Sequence, residues 1–188
     1  MSDGSTDLKA SKALFIRRWG EMGGYWGINR TMAEIHALLF VSTEPLCSDD
    51  IMDRLSISRG NASMNLRSLV DWGLIERLHL RGDRKEYFLC QTDVWKMFKT
   101  IIQQRRRREV EPIVETIERC REMVPGPSKE GEGPDVEEVA IYRKRLEEMH
   151  AFLGIVGSVV DLMTTVGPEG MDRIGGLMME LAGDSQPS

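Results

Sequence analysis

Apolar residues recur along this chain at two periods, and the switches between them mark out its elements. From Leu8 to Met22 the positions Leu14, Phe15, Trp19 and Met22 keep a helical spacing, which Gly20, Gly23, Gly24 and Gly27 then break. Asn29 is a suitable N-cap for a second helix. Its buried face is Met32, Ile35, Leu38 and Leu39, and Glu44-Pro45 ends it. Ser48 caps a short helix, Asp49 to Leu55, with carboxylates in its first turn where the helix dipole favours them. Ser56-Ile57-Ser58 makes a turn. Ser58 caps a third helix running to Trp72, and Gly73 is the expected left-handed stop. The period then changes: Leu74 to Leu80 alternates as a strand does, Arg81-Gly82-Asp83-Arg84 is turn chemistry, and Lys85 to Cys90 pairs back as a hairpin. A long helix begins at Asp93 and runs to about Met123, with a kink or break expected at Pro112.

Residues 124–135 hold three prolines and three glycines, which forbid a helix or a central strand. They divide an N-terminal module, residues 1–123, from a C-terminal arm, residues 136–184. The arm opens with Pro134-Asp135-x-x-Glu138, a capping-box pattern. Val139, Tyr142, Leu146, Met149, Leu153, Val156, Val160 and Met163 follow at alternating spacings of three and four, an unbroken seam up to Gly167-Pro168. Phe152, Ile155, Val159 and Leu162 widen the apolar face. Met171, Ile174, Leu177, Met178 and Leu181 supply one more amphipathic helix. A seam of this length needs a partner. The expected partner is a second chain, so the eight seam residues form a dimer interface; packing against the 93–123 helix is the alternative.

Charge changes this picture. The 188 residues carry a net charge of −5, but residues 54–108 hold thirteen Lys/Arg against five Asp/Glu, a local +8 between two acidic segments. A field of that sign suits a phosphate backbone. Helix, tight turn, helix and a basic-tipped hairpin is the order of a winged helix-turn-helix, whose second helix enters the major groove. Ala62, Leu66 and Leu69 fall on its core side. Gly60, Ser63, Met64, Arg67 and Ser68 fall opposite, with Arg59 and Asn61 at the N-terminal end. Arg67 and Asn61 suit base edges, Ser58 and Ser63 suit phosphates, and Met64 suits a thymine methyl. Arg81, Arg84 and Lys85 at the hairpin tip have the length to enter a minor groove. The expected fold is mainly α with a two-stranded β-wing, and the expected partner is double-stranded DNA. The competing reading is a winged-helix protein-interaction module with an incidental basic face.

The segments Pro45-Leu46, Ile51 to Leu55, Ser58 to Arg67, Leu69, Asp71-Trp72-Gly73-Leu74 and Gly82-Asp83-Arg84-Lys85 resemble the GbsR-type branch of the MarR superfamily, and Trp19-Gly20 and Gly24 also fit. The resemblance covers residues 15–123. It implies a homodimeric winged-helix transcriptional regulator, usually a repressor, reading a palindromic operator with Ser58 to Ser68 and its wing. It also suggests a quaternary-ammonium effector such as choline or glycine betaine. Trp19, Tyr25 and Trp26 are the aromatic candidates for such a cation, though the same rings can serve as packing.

The other constellations are set aside. Arg105 to Arg108 span most of a helix circumference and make no single patch; they raise the field and can touch flanking phosphates. Glu147-x-x-His150 is a metal-carboxylate spacing that occurs once where such sites need two. His36 and His79 have no ligand at metal spacing. No catalytic triad, phosphate loop or dinucleotide fingerprint occurs, so neither an enzyme, a metal nor a cofactor is expected. The three cysteines (Cys47, Cys90, Cys120) are far apart. Cys120, between two arginines, is the best placed for redox chemistry. No run of eighteen apolar residues and no secretory h-region are read, so the expected location is the cytoplasm.

Overall fold

The computed structural model describes residues 4–25, 27–124 and 134–183. The element order is α1 (Gly4–Tyr25), α2 (Arg30–Phe40), β1 (Leu46–Cys47), α3 (Ser48–Leu55), α4 (Arg59–Asp71), β2 (Ile75–His79), β3 (Glu86–Cys90), α5 (Val94–Arg105), a π-helical turn (Arg106–Val110), α6 (Glu111–Met123) and α7 (Pro134–Gly183). The chain divides into two compact units, residues 1–101 and 102–188. This boundary comes earlier than the proline- and glycine-rich linker expected to divide it. The reason is that α6 packs on α7 and so belongs with the arm.

In the first unit α2 is the central element, in contact with α1, α3, α4 and β3. Its N-cap is Asn29, whose Oδ1 accepts from the Met32 N–H at 3.1 Å. Its Ile35 shares one core with Ile51 of α3 and Leu69 of α4, all three fully buried, and Leu38, Leu66, Leu74 and Phe88 extend the same core. The glycines of α1 act differently from the expectation. The helix runs through Gly20, Gly23 and Gly24 to Tyr25. A Cβ on Gly23 would lie 2.6 Å from Ala33 Cβ, so the missing side chain lets α1 approach α2. Only Gly27, at φ 73°, makes the turn.

The sheet has three antiparallel strands in the order β1-β3-β2, one more than the expected wing. Leu46 pairs with Phe88 and Cys47 with Tyr87. A two-residue strand is too short to show alternation, so the sequence pattern hides it. The hairpin itself keeps the expected register, from Ile75 opposite Cys90 to His79 opposite Glu86. The cap of α3 is Cys47 rather than Ser48. The Cys47 N–H donates to Asp50 Oδ2 at 3.0 Å, and hydrogen bonds from the Cys47 thiol and N–H hold that carboxyl below its usual range.

In the second unit Pro112 ends no helix. It sits in the first turn of α6, where a missing N–H costs nothing, and the π-helical turn before it absorbs the change of register. Within α7 the residues turned toward cover are Val139, Arg143, Leu146, His150, Leu153, Gly157, Val160 and Thr164, half-buried or buried at spacings of four and three. Tyr142, Met149, Val156 and Met163 are exposed, and so are Phe152, Ile155, Val159 and Leu162. The expected seam therefore splits into one row that is covered and one that is open. Gly167 breaks the helix at φ 73° and ψ 178°, and helix resumes to Gly183. The side chains of the Pro134-Asp135 start and of Met171, Ile174, Leu177, Met178 and Leu181 lie outside the described residues, as does most of the linker. Val136–Gly167 contains an 18-residue window of mean hydropathy 1.5, long and apolar enough by length and composition to cross a membrane.

His36 makes the first unit sensitive to acid. It is 3% exposed on α2, and among the described residues its Nε2 has no hydrogen-bond partner. Burial pushes its pKa down from 6.5 to about 4. Below pH 6.5 the unfolded chain takes up a proton that the folded chain refuses. Stability is therefore complete above that pH, falls as pH drops, and levels out near pH 4, with a total loss of about 3 kcal/mol. Urea unfolding across this window should show that decline. A His36→Leu protein should lack it, and an equal decline in both proteins would remove His36 as the cause.

Candidate nucleic-acid interface

The turn between α3 and α4 is built by local bonds. Ser56 takes the left-handed conformation at φ 53°, the Ile57 N–H donates to the Met52 carbonyl at 3.1 Å, and Ser58 Oγ accepts from the Asn61 N–H at 3.3 Å. From that cap α4 turns Ala62, Asn65, Leu66 and Leu69 inward. Ser58, Arg59, Gly60, Ser63, Met64 and Arg67 are exposed together, and Ser68 is half-buried at the edge of the same face. Met64 is 58% exposed, an apolar tip in an otherwise polar surface. Gly60 has no atom within 4 Å of the position a Cβ would take, so its surroundings leave room for a close approach.

Asn61 is placed differently from the other six. It is half-buried, and its amide is engaged within the protein: Nδ2 donates to Thr31 Oγ1 at 3.4 Å, and Oδ1 accepts from Asn65 Nδ2 at 2.6 Å. It is therefore not presented to a base edge as Arg67 is. Periodicity alone misses this, because Asn61 lies at the border of the two faces and its partner Thr31 is thirty residues away.

The wing tip is braced by Asp83. Its Oδ1 accepts from the Lys85 N–H at 2.9 Å and its Oδ2 from the Tyr87 hydroxyl at 2.7 Å, while Gly82 supplies φ 89°. The Tyr87 bond, then the backbone bonds, hold the Asp83 carboxyl below its usual range. Asp83 and Tyr87 are functional neighbours that a search for basic residues passes over. Lys85 reaches back to Asp49 of α3 at 3.1 Å, and Arg77 crosses to Glu86 at 3.4 Å. Both pairs are solvent-exposed and worth little energy, but the first gives Lys85 a neighbour within the fold. Arg59, Arg67, Arg81 and Arg84 have no recorded ion pair among the described residues.

Among the described residues, Trp19 and Tyr25 form no ring pair. Trp19 is half-buried between α1 and α2, with its ring centroid 5.5 Å from Phe15 and 6.1 Å from His36. Tyr25 is 90% exposed, and Trp26 lies outside the described residues. A separate cleft of about 670 Å³ is lined by Leu8, Ile16, Leu38 and Leu46, with Lys9, Lys12 and Arg54 among its polar residues. Glu44 also lines it, so three cations stand against one carboxylate, a balance that disfavours a quaternary ammonium.

In the second unit the arginine run is partly spent on internal pairs. Arg105 meets Glu109 at 3.1 Å, and Arg106 is bonded to Asp161 of α7. His150 Nε2 lies 3.2 Å from Glu118, and among the described residues no group of three potential ligands could hold a metal. Cys47 and Cys90 are buried, and burial pushes the Cys90 thiol up to about 11, the direction that suppresses thiolate chemistry.

Comparison with known proteins agrees with this geometry. Residues 26–86 match the MarR family. The HTH-type transcriptional repressor GbsR of Bacillus subtilis is 24% identical over 114 residues, covering 61% of this chain and 63% of that protein. The HTH-type transcriptional regulator MmpR5 of Mycobacterium tuberculosis is 36% identical over 73 residues, covering 36% of this chain and 44% of its own length. The chain thus spans less than two thirds of the curated relatives it matches. A solved transcriptional regulator shares the fold, with a TM-score of 0.61 at 22% identity over 82% of this chain and 95% of that one. The family and these relatives are regulators of transcription, not enzymes. The residues that match the MarR family, 26–86, are those that form the helix, turn, helix and wing described above, so the likeness to MarR-type winged-helix proteins lies in this module.

Proposed function

We propose that this chain is a sequence-specific DNA-binding transcriptional regulator of the GbsR type, acting as a homodimer on a palindromic operator and repressing transcription there. The observation that carries the reading is the outer face of α4. Arg59, Ser63, Met64 and Arg67 stand exposed on a helix whose opposite face is core, and α3 precedes them at a capped turn. In this reading α4 lies in the major groove. Arg67 pairs with a guanine edge, Met64 packs on a thymine methyl, and Ser58 and Ser63 hold phosphates. Arg81 and Arg84 follow the minor groove from a wing that Asp83 keeps in shape. Lys85 adds charge beside α3. Repression follows the named relative GbsR, and it needs only occupancy of a site that overlaps a promoter.

The homodimer rests on α7. Ile155 is 65% and Phe152 59% exposed within a single chain, and Val159, Leu162 and Met163 extend the same face. Apolar surface of this extent calls for cover. A second copy suits it better than a bilayer, because Asp161 lies in the same stretch, is exposed, and is bonded to Arg106. Those charges cost little at the edge of a protein bundle and much in hydrocarbon. A dimer would offer one α4 to each half-site of a palindrome, whose half-sites lie about one DNA turn apart. A small effector that favours another spacing would release the operator. The cleft beside Lys9, Lys12 and Arg54 is the candidate place for it, and an anionic ligand fits that lining better than a cation.

Fluorescence anisotropy on the DNA upstream of its own gene, with random-sequence competitor and a salt titration, tests the reading. Operator binding should survive competitor and weaken steeply with salt. Arg67→Ala should cost about 1–3 kcal/mol of specific binding with an unchanged circular dichroism spectrum, whereas Arg84→Ala should weaken all sequences alike and reduce the salt slope by about 1. Binding equal to random DNA would favour the protein-interaction reading instead. In sedimentation, the chain should be a detergent-free dimer that Ile155→Lys with Val159→Lys converts to monomer. Recovery in a membrane pellet would reject the homodimer.

A further inference from the structure

The seam between α2 and α4 is apolar except at one end. Ile35, Leu38 and Leu39 of α2 and Leu66 and Leu69 of α4 share the buried core. Among them Asn65 is only 3% exposed. Its Nδ2 donates to the Asn61 carbonyl at 2.8 Å and to Asn61 Oδ1 at 2.6 Å. Asn61 Nδ2 passes the chain of bonds on to Thr31 Oγ1, at 3.4 Å, in the first turn of α2. A side-chain relay thus joins the start of one helix to the start of the other.

Such a group does little for stability. A buried amide must recover its desolvation through hydrogen bonds, and an apolar residue of similar volume would pack there without that debt. What a buried amide supplies is register. Leucines tolerate a helix that rotates or slides, whereas the bond from Asn61 to Thr31 is lost when it does, and Asn65 holds the Asn61 amide in place to make it. Here the register matters because the side of α4 opposite the relay is the exposed face of Gly60, Ser63, Met64 and Arg67. At about 6 Å from a helix axis a rotation of about 20° moves an outer group by roughly 2 Å. That is enough to lose a bidentate contact to a base.

We propose that Thr31, Asn61 and Asn65 form a positioning device that fixes the rotation of α4 on α2, so that the outer face meets DNA at one azimuth. Asn61 serves as its middle member. The inference rests on the DNA-reading role proposed for α4, but its geometric half stands apart from it. Asn65→Leu fills the seam and removes the two bonds within α4 that hold the Asn61 amide toward Thr31. Thr31→Val removes the acceptor of the one relay bond that joins the two helices, and Thr31→Ser keeps it.

The test pairs a DNA-free measurement with a DNA-binding one. Residual dipolar couplings on the whole protein report the orientation of α4 relative to α2. Binding is measured to a duplex selected by the wild type from a randomised pool, against random-sequence DNA. In Asn65→Leu the melting temperature should hold or rise, the couplings of residues 59–71 should shift as a body, and preference for the selected duplex should fall about tenfold or more at an unchanged salt slope. Thr31→Val should move in the same direction, and Thr31→Ser should restore preference. Couplings identical to wild type in both Asn65→Leu and Thr31→Val would overturn the device. So would a rotated α4 with undiminished preference. A shift in couplings for a protein that selects no sequence at all would uphold the positioning of α4 and overturn the DNA-reading role instead. Should Asn65→Leu fail to fold, the contrast between Thr31→Val and Thr31→Ser decides the same question.

Discussion

The burial of α2 is the constraint on which the first unit depends. Ile35 and Ala37 are fully buried, and Met32, Ala33, Leu38 and Leu39 nearly so, so this helix must be covered on almost every side. A helix covered all round dictates where its neighbours go. α1 comes close because Gly20 and Gly23 present no side chain at the crossing. α3 and α4 arrive at the other side through Ile51, Leu66 and Leu69, and β3 closes the end with Phe88. Once Leu66 and Leu69 are committed inward, the helical period puts Ser63, Met64 and Arg67 outward. The surface proposed to face DNA is thus a consequence of core packing, and no separate scaffold presents it.

Much of this was legible because the local signals agreed with the global fold. Asn29, Ser58 and Gly73 sit where capping chemistry puts them, and the change from a period of 3.6 to 2 at Leu74 marks the wing. What escaped reading has physical reasons. β1 is two residues long and has no period. The glycines of α1 look like helix breakers until the partner helix is known, since close approach is a property of two elements and not of one. Asn61 reads as an exposed asparagine on a basic helix, and its bond to Thr31 joins residues far apart in sequence. The Pro112 break became a π-helical turn because proline is harmless in a first turn, so the register change moved upstream to Arg106–Val110.

The α7 seam shows a sharper limit of periodicity. A regular spacing of three and four says that a helix has an apolar stripe, but not how many partners share it. Val139, Leu146, Leu153 and Val160 take part in the covered row within one chain, while Tyr142, Met149, Val156 and Met163 stand open beside Phe152 and Ile155. The two alternatives raised by the sequence, intrachain and interchain packing, therefore need not compete. One helix can use adjacent faces for each, and the wide apolar arc of its second half is what two adjacent faces require. The same width is why this stretch passes the compositional test for a membrane span.

Charge is distributed by the same logic of commitment. The +8 of residues 54–108 would be a diffuse attraction if every cation were free. The fold instead pairs some of them: Arg77 with Glu86, Lys85 with Asp49, Arg105 with Glu109 and Arg106 with Asp161. Arg59 and Arg67 on α4, and Arg81 and Arg84 on the wing, have no such pair among the described residues. Pairing a cation within the protein lowers its value to a phosphate, because an ion already compensated gains less from a second anion. In the DNA-binding reading proposed above, the uncompensated cations of α4 and the wing carry the contact, and they stand on the two elements whose backbones are fixed by Ser58 and by Asp83. An acidic protein overall can in this way hold a focused positive surface, with repulsion elsewhere discouraging any other docking orientation.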